Sequence, residues 1–367
     1  MKKTLGILTV MLCATSMIYA QADGIATHKS SDVVMASDGA AMGKVIDSGS
    51  CGKNVNYELY DDYTLRIFGS GPMTNFDHIS DYVGSNAPWD KGIKSVVIED
   101  GVTRIGSHAF LGCSSLTEVI IPNSVTSIGH EAFRDCGALA MIDIPNSVTS
   151  IGTAAFQSCI SLAEVNLPNG LETIEYNVFL WCSSLTHINI PSCVKRIEEQ
   201  AFSECTSLTE IIIPDSVTYI GQLAFSNCDN LEYVKIGKGV TTINDGTFLL
   251  YHADPNVKTV IEFTGETPVT LASVEDFGRV CINNAFADSE NVIIRVPETM
   301  LDYYRSVEDW SPYKESFSGY SSTGISSVGN VQSAMKADAV YDLQGRRVTE
   351  MLPNRIYIVN EKKIMYK

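Results

Sequence analysis

Apolar residues return through the middle of the chain with a fixed spacing of 23, most visibly at Phe110, Phe133, Phe156, Phe179, Phe202, Phe225 and Phe248. One period, Leu116 to Cys136, shows what the pattern encodes. Val119 and Ile121 lie two apart, which places both on one face of a short strand with Ile120 on the other. Pro122 has no N–H to continue a ladder and ends the strand in good turn chemistry, a position repeated as Pro145, Pro168, Pro191 and Pro214. A second extended piece from Val125 to Ile128 turns two more apolar side chains inward. The glycine that follows, at 106, 129, 152 and 221, suits a corner of positive φ, although Glu175, Glu198 and Asn244 at the same corner show that positive φ is not obligatory. The Ala-Phe pair then reads as a short helical turn whose phenylalanine fills the gap between the strand layers.

A unit this short cannot bury its apolar face alone, so successive units must stack, and the expected fold is a mainly β solenoid with short helical turns. It comprises about seven coils over residues 93–250. With coils about 4.8 Å apart, the phenylalanines form a ladder of roughly 30 Å.

The skeleton Leu-x-x-Val-x-Ile-Pro-x-x-Val-x-x-Ile-Gly-x-x-Ala-Phe-x-x-Cys over these coils resembles the BspA-like leucine-rich repeats of bacterial surface proteins. Residues 45–92, with Ser50-Cys51-Gly52, Thr64 to Gly71 and Ala87-Pro88-Trp89, are similar to the lead-in of that family and read physically as a hairpin covering the open first coil. Past Phe248 the period breaks. Residues 251–315, with a strand at Val292 to Val296, Pro297, a short helix over Glu298 to Val307 and then Trp310, resemble the family's terminal coil and cap. Residues 316–339, rich in serine, glycine and small residues, read as a linker. Residues 340–367 alternate as a small antiparallel β unit with a turn at Gln344-Gly345. This tail resembles the C-terminal sorting domain of Bacteroidota type IX secretion, with Arg355 and Glu361 where that motif carries glycine.

At the other end, Lys2 and Lys3, the apolar stretch Leu5 to Ile18 and the small residues Ala20 and Ala22 form a secretory signal over residues 1–22, and no later segment is long and apolar enough to span a membrane. The chain is therefore expected to be extracellular or on the outer cell surface. Its 43 acidic against 26 basic residues give a net charge of −17, which disfavours nucleic acid and anionic lipid as partners and permits cationic proteins or cations such as calcium.

Six of the ten cysteines, Cys113, Cys136, Cys159, Cys182, Cys205 and Cys228, share the 23-residue period. Stacked equivalents point in parallel at about 4.8 Å, whereas a disulfide needs converging Cβ atoms about 3.5–4.5 Å apart, so these read as buried thiols. Cys193 replaces a turn serine and is expected to be exposed. The histidines show no catalytic or metal-binding spacing; His108 and His130 could meet on adjacent coils as a solvated pair. No nucleophile elbow, phosphate loop or metalloprotease helix is present, so no enzyme activity, metal or cofactor is expected.

Outward strand positions form two columns. One reads Ser95, Glu118, Met141, Glu164, His187, Glu210, Tyr233, and its neighbour reads Val97, Ile120, Asp143, Asn166, Asn189, Ile212, Lys235. From these, Glu118, Glu164, His187, Glu210, Tyr233, Ile120 and Ile212 are candidate ligand-binding residues. Tyr176 and Trp181 join them from the coils that depart most from the repeat, because exposed aromatics anchor interfaces. The expected role is adhesion or recognition of a protein; a glycan-binding or scaffolding role in the envelope stays open. The resemblance implies host extracellular proteins or other bacterial surfaces as partners.

Overall fold

The computed structural model describes residues 43–80, 84–89, 92–251, 258–272, 286, 292–320, 340–341, 355–359 and 362–366. The expected secretory signal, most of the linker and the turn at Gln344-Gly345 lie outside these residues.

The repeat folds as a succession of three ladders per coil. Main strands stack in parallel with the sequence period as their register: Ser95 faces Glu118, Met141 faces Glu164 and then His187, and Glu210 faces Tyr233. Second strands do the same, with Ile105, Ile128 and Ile151 in line, and Ile174, Ile197, Ile220 and Ile243 in line after an interruption. Between them, the turn after each main strand closes through a bond such as Val125 N–H to the Pro122 carbonyl, at 3.1 Å, repeated at Val148, Val194 and Val217. Proline is tolerated because only its carbonyl is used.

The third ladder is made by the Ala-Phe segment. Rather than a regular helix it is a run of overlapping i to i+3 turns, and its alternate N–H groups point along the solenoid: Glu131, Phe133 and Asp135 donate to the carbonyls of Thr153, Ala155 and Gln157 in the next coil, at 2.8–3.0 Å. Turning alternate amides the same way requires left-handed backbone at two positions per coil. These are His108, Glu131, Ala154, Asn177, Gln200 and Leu223 before the phenylalanine, and Asp135, Ser158, Trp181, Glu204 and Asn227 after it. The corner glycines do not adopt positive φ. Their absent side chain serves close approach instead: a Cβ on Gly129 would lie 2.5 Å from the Ser107 amide nitrogen, and one on Gly152 2.6 Å from that of His130. The second-strand ladder is interrupted between Ser150–Ile151 and Thr173–Ile174, at the junction where the corner residue changes from Gly152 to Glu175.

Inside, the phenylalanines are fully buried and stack ring on ring, with centroids 5.1–5.8 Å apart and planes within 19° of parallel. Phe286 adds an eighth ring. The period does not end at Phe248 but lengthens: Tyr233 pairs with Val260 and Thr242 with Thr270, spacings of 27 and 28 that hide the next coil from a fixed-period reading. Strands Thr259–Phe263, Val292–Pro297 and Phe317–Tyr320 carry the main sheet onward, for about nine turns in all. Phe317 to Tyr320, within the stretch expected as linker, instead pair with Ile294 to Pro297 as a strand of the main sheet.

Tryptophans end the ring stack. At the front, β1 (Val45–Ser50), β2 (Val55–Tyr60) and β3 (Thr64–Gly69) form an antiparallel meander, and β3 pairs in parallel with Ser95–Ile98. Trp89 stacks on Phe110 at 5.5 Å and is itself edged by Tyr57 and Phe76. Arg66 ties β2 to the first coil by pairing with Glu58 at 2.9 Å and Glu99 at 2.6 Å. At the far end, Pro297 leads into a 3-10 turn at Glu298–Met300 and helix α1 (Leu301–Ser306), followed by a 3-10 segment, Glu308–Ser316, that seats Trp310 against Phe286 at 5.7 Å. Strands Val340–Tyr341, Arg355–Val359 and Lys362–Tyr366 form a separate antiparallel sheet.

Candidate binding site

The main-strand register sets the outward columns side by side. Glu118, Met141, Glu164 and His187 are exposed along one of them, and Glu210 and Tyr233, both half-buried, continue it. Burial, with Glu262 and Glu210 nearby, pushes the Tyr233 phenol above its ordinary range, so it stays a neutral donor and acceptor. In the second column Ile212 is 51% exposed, while Ile120 is half-buried. Asp143, exposed in the second column and paired with Asn166, adds a further carboxylate to this face. Parallel strands at repeated positions present their outward side chains at the spacing of the coils, with the ring stack behind them.

Tyr176 and Trp181 do not join that face or each other's ladder. Trp181 occupies the left-handed position after Phe179 and its amide donates to the Ser203 carbonyl at 3.0 Å. Tyr176 lies at the corner, where it meets a group the sequence did not assemble: Arg196 lies over the Tyr219 ring at 4.1 Å and pairs with the buried Glu198 at 2.6 Å. The Glu198 carboxylate is the main cause that pushes the Tyr176 phenol up, and its hydrogen bond holds the Arg196 guanidinium more firmly charged. The sequence marked Glu198 only as a departure from the corner glycine and gave Tyr219 no role; the coil-to-coil register from Thr173 through Arg196 to Tyr219 is what joins them.

The cysteine column is buried and unbridged. The five thiols from Cys136 to Cys228 each donate to the phenylalanine carbonyl of the preceding coil, as Cys136 to Phe110 and Cys159 to Phe133, both at 3.2 Å. Burial pushes these thiols well up, which leaves them protonated and unreactive. Cys193 is half-buried rather than exposed, because it takes over the serine's bond: its thiol donates to the Leu171 carbonyl at 3.1 Å, as Ser124 does to Val102 at 2.8 Å.

The BspA-type leucine-rich repeat family matches residues 81–182 and 172–257 in six copies. A leucine-rich repeat protein of T. pallidum is 30% identical, with 62% of this chain and 86% of that one aligned and a TM-score of 0.40. The chain belongs to the BspA-type leucine-rich repeat family. Two other solved structures are similar to these BspA-type repeats. A leucine-rich cell surface protein of Faecalibacterium prausnitzii is 23% identical, covering 74% of this chain and 94% of that one with a TM-score of 0.41. A leucine-rich repeat protein of Bacteroides ovatus is 20% identical, covering 74% and 99% with a TM-score of 0.30. No curated protein matches. Membership of this family is consistent with a binding or recognition role. Among the described residues no helix is long and apolar enough to cross a membrane.

Proposed function

We propose that this protein is an exported, surface-associated recognition module that adheres to a protein partner through the outer face of its main sheet. The observation that carries the reading is the acidic column of Glu118, Glu164 and Glu210, which hold the same repeat position in alternate coils, with Met141 and Ile212 exposed among the carboxylates. A basic partner surface with apolar contacts complements it, and steering by a chain of net charge −17 speeds the encounter. Host extracellular proteins and other bacterial surfaces are the partner classes in this reading. The basic, apolar and small-residue sequence of residues 1–22 supports export, and the C-terminal sheet serves as a sorting tail whose deletion retains the chain in the cell.

The test is binding of the purified protein to an array of extracellular-matrix proteins and glycans at physiological salt. Saturable binding to a basic protein, weakened by salt and lost in the Glu118→Lys, Glu164→Lys, Glu210→Lys triple variant, is the expected outcome. The exposed Tyr176 beside Arg196 and Tyr219 favours a second reading, a glycan site in an envelope scaffold. A glycan hit abolished by Tyr176→Ala and indifferent to the charge reversals would establish that reading in place of the first.

A further inference from the structure

We propose that His78, His108 and Glu131 form a binding site for a divalent transition-metal ion of zinc type, which clips the lead-in segment onto the first two coils. The three side chains come from three separate parts of the chain. His78 lies in the strand His78–Ser80 ahead of the first coil. His108 and Glu131 occupy the same left-handed position in successive coils, with φ of 55° and 49°. That equivalence turns both side chains the same way at the spacing of the coils. Later coils carry Ala154, Asn177, Gln200 and Leu223 there, so the repeat supplies this combination only at the front of the solenoid.

The geometry within the cluster points to a cation. One ligand atom from each residue lies within 4.8 Å of the other two. The His108 Nδ1 is 2.8 Å from the Phe76 carbonyl oxygen, and since a carbonyl only accepts, Nδ1 carries the hydrogen. In the neutral ring Nε2 then presents a lone pair, and it faces Glu131 Oε2 at 3.7 Å. Backbone anchoring of the far nitrogen is how metal-bound imidazoles are oriented. His78 Nδ1 stands 4.0 Å from the same oxygen. Glu131 is only 9% exposed, and its Oε2 accepts no hydrogen bond, so the ion pair with Arg134 at 3.3 Å balances its charge without replacing the hydrogen bonds lost on burial. These separations exceed hydrogen-bond length. Bonds of about 2.0–2.2 Å from a tetrahedral ion put ligand atoms about 3.3–3.6 Å apart, so the carboxylate has to close on each imidazole by less than about 0.7 Å and the imidazoles on one another by no more than about 1.5 Å.

Two further groups complete the surroundings. His130 Nε2 is 3.2 Å from the other carboxylate oxygen, Oε1, where it orients the carboxylate or supplies a fourth ligand. Arg134 Nη1 is 3.3 Å from Oε2 and competes with a metal for it, but the same guanidinium reaches Asp135 at 3.5 Å and has that carboxylate to turn to. Two neutral imidazoles and one carboxylate suit zinc better than calcium or magnesium, which take oxygen ligands.

The experiment is calorimetric titration of the chelator-treated protein with Zn2+, paired with Co2+ absorption spectra. Uptake of a single ion, a rise in melting temperature and tetrahedral cobalt bands without thiolate charge transfer are expected. His78→Ala and Glu131→Gln should each weaken binding by about tenfold or more. The first of these removes a surface side chain and should keep the metal-free circular dichroism unchanged. Arg134→Gln should tighten binding by removing the competing cation. No saturable uptake, uptake that survives both substitutions, or a thiolate signature from the cysteine column would overturn the proposal.

Discussion

Single residues in this chain are constrained by the coil before and the coil after, more than by their sequence neighbours. Glu175 shows the cost. It sits at a corner given to glycine in four other coils, and burial, followed by repulsion from Glu198, pushes its carboxyl up from the ordinary range. A raised pKa means the folded state disfavours the charged form. Above the raised folded value both states are ionised and the folded state bears the full penalty. Below about pH 4 both are protonated and the penalty is gone. Glu175→Gln is therefore expected to raise the melting temperature at pH 7, with the gain shrinking to nothing as the pH falls through the folded and then the unfolded value. An equal gain at pH 3 would mean that charge is not the cause. The cysteines were legible at this scale because parallel stacking rules out bridging by distance alone. The half-burial of Cys193 was not, since its bond to Leu171 belongs to a residue 22 positions away.

At the scale of the coil, the two strands, the proline turn and the inward column could be read from the period-two alternation and from Pro122 and its equivalents. The conformation of the Ala-Phe segment could not. Its left-handed positions are filled by His, Glu, Ala, Asn, Gln and Leu, residues with no shared preference for that region, so the third ladder imposes the backbone and overrides local propensity. The corner glycine was correctly singled out for the wrong physical reason: it leaves room for backbone, at 2.5 Å from the Ser107 nitrogen, rather than freeing φ. Gly129→Ala should accordingly destabilise by about 1–3 kcal/mol, as overpacking does, even though alanine is intrinsically the better residue at an ordinary φ. Denaturant melts would detect this. A neutral or stabilising effect would show that the coils can part there without loss.

The whole molecule behaves as a one-dimensional stack, in which each coil depends on its two neighbours and the ends need cover. Trp89 and Trp310 provide it, and each indole N–H finds a buried carbonyl, of Ala109 at 2.9 Å and of Val269 at 3.1 Å. Trp310→Ala should cost about 3–5 kcal/mol, with the loss confined to one end: hydrogen exchange should accelerate in residues 259–263 and 292–320 while Phe133 to Phe202 keep their protection. Uniform acceleration along the solenoid would mean that the stack melts as one unit. The sequence by itself determined the solenoid, its coil length, its interior and its outward columns, because a period of 23 repeated without insertion leaves one way to bury the apolar positions. Only the tertiary structure decided how far the stack runs past Phe248, which side chains meet at Tyr176 and at Glu131, and where the left-handed residues fall. Those depend on which atoms lie one coil away, and a chain whose spacing stretches to 27 and 28 does not announce that distance in its order.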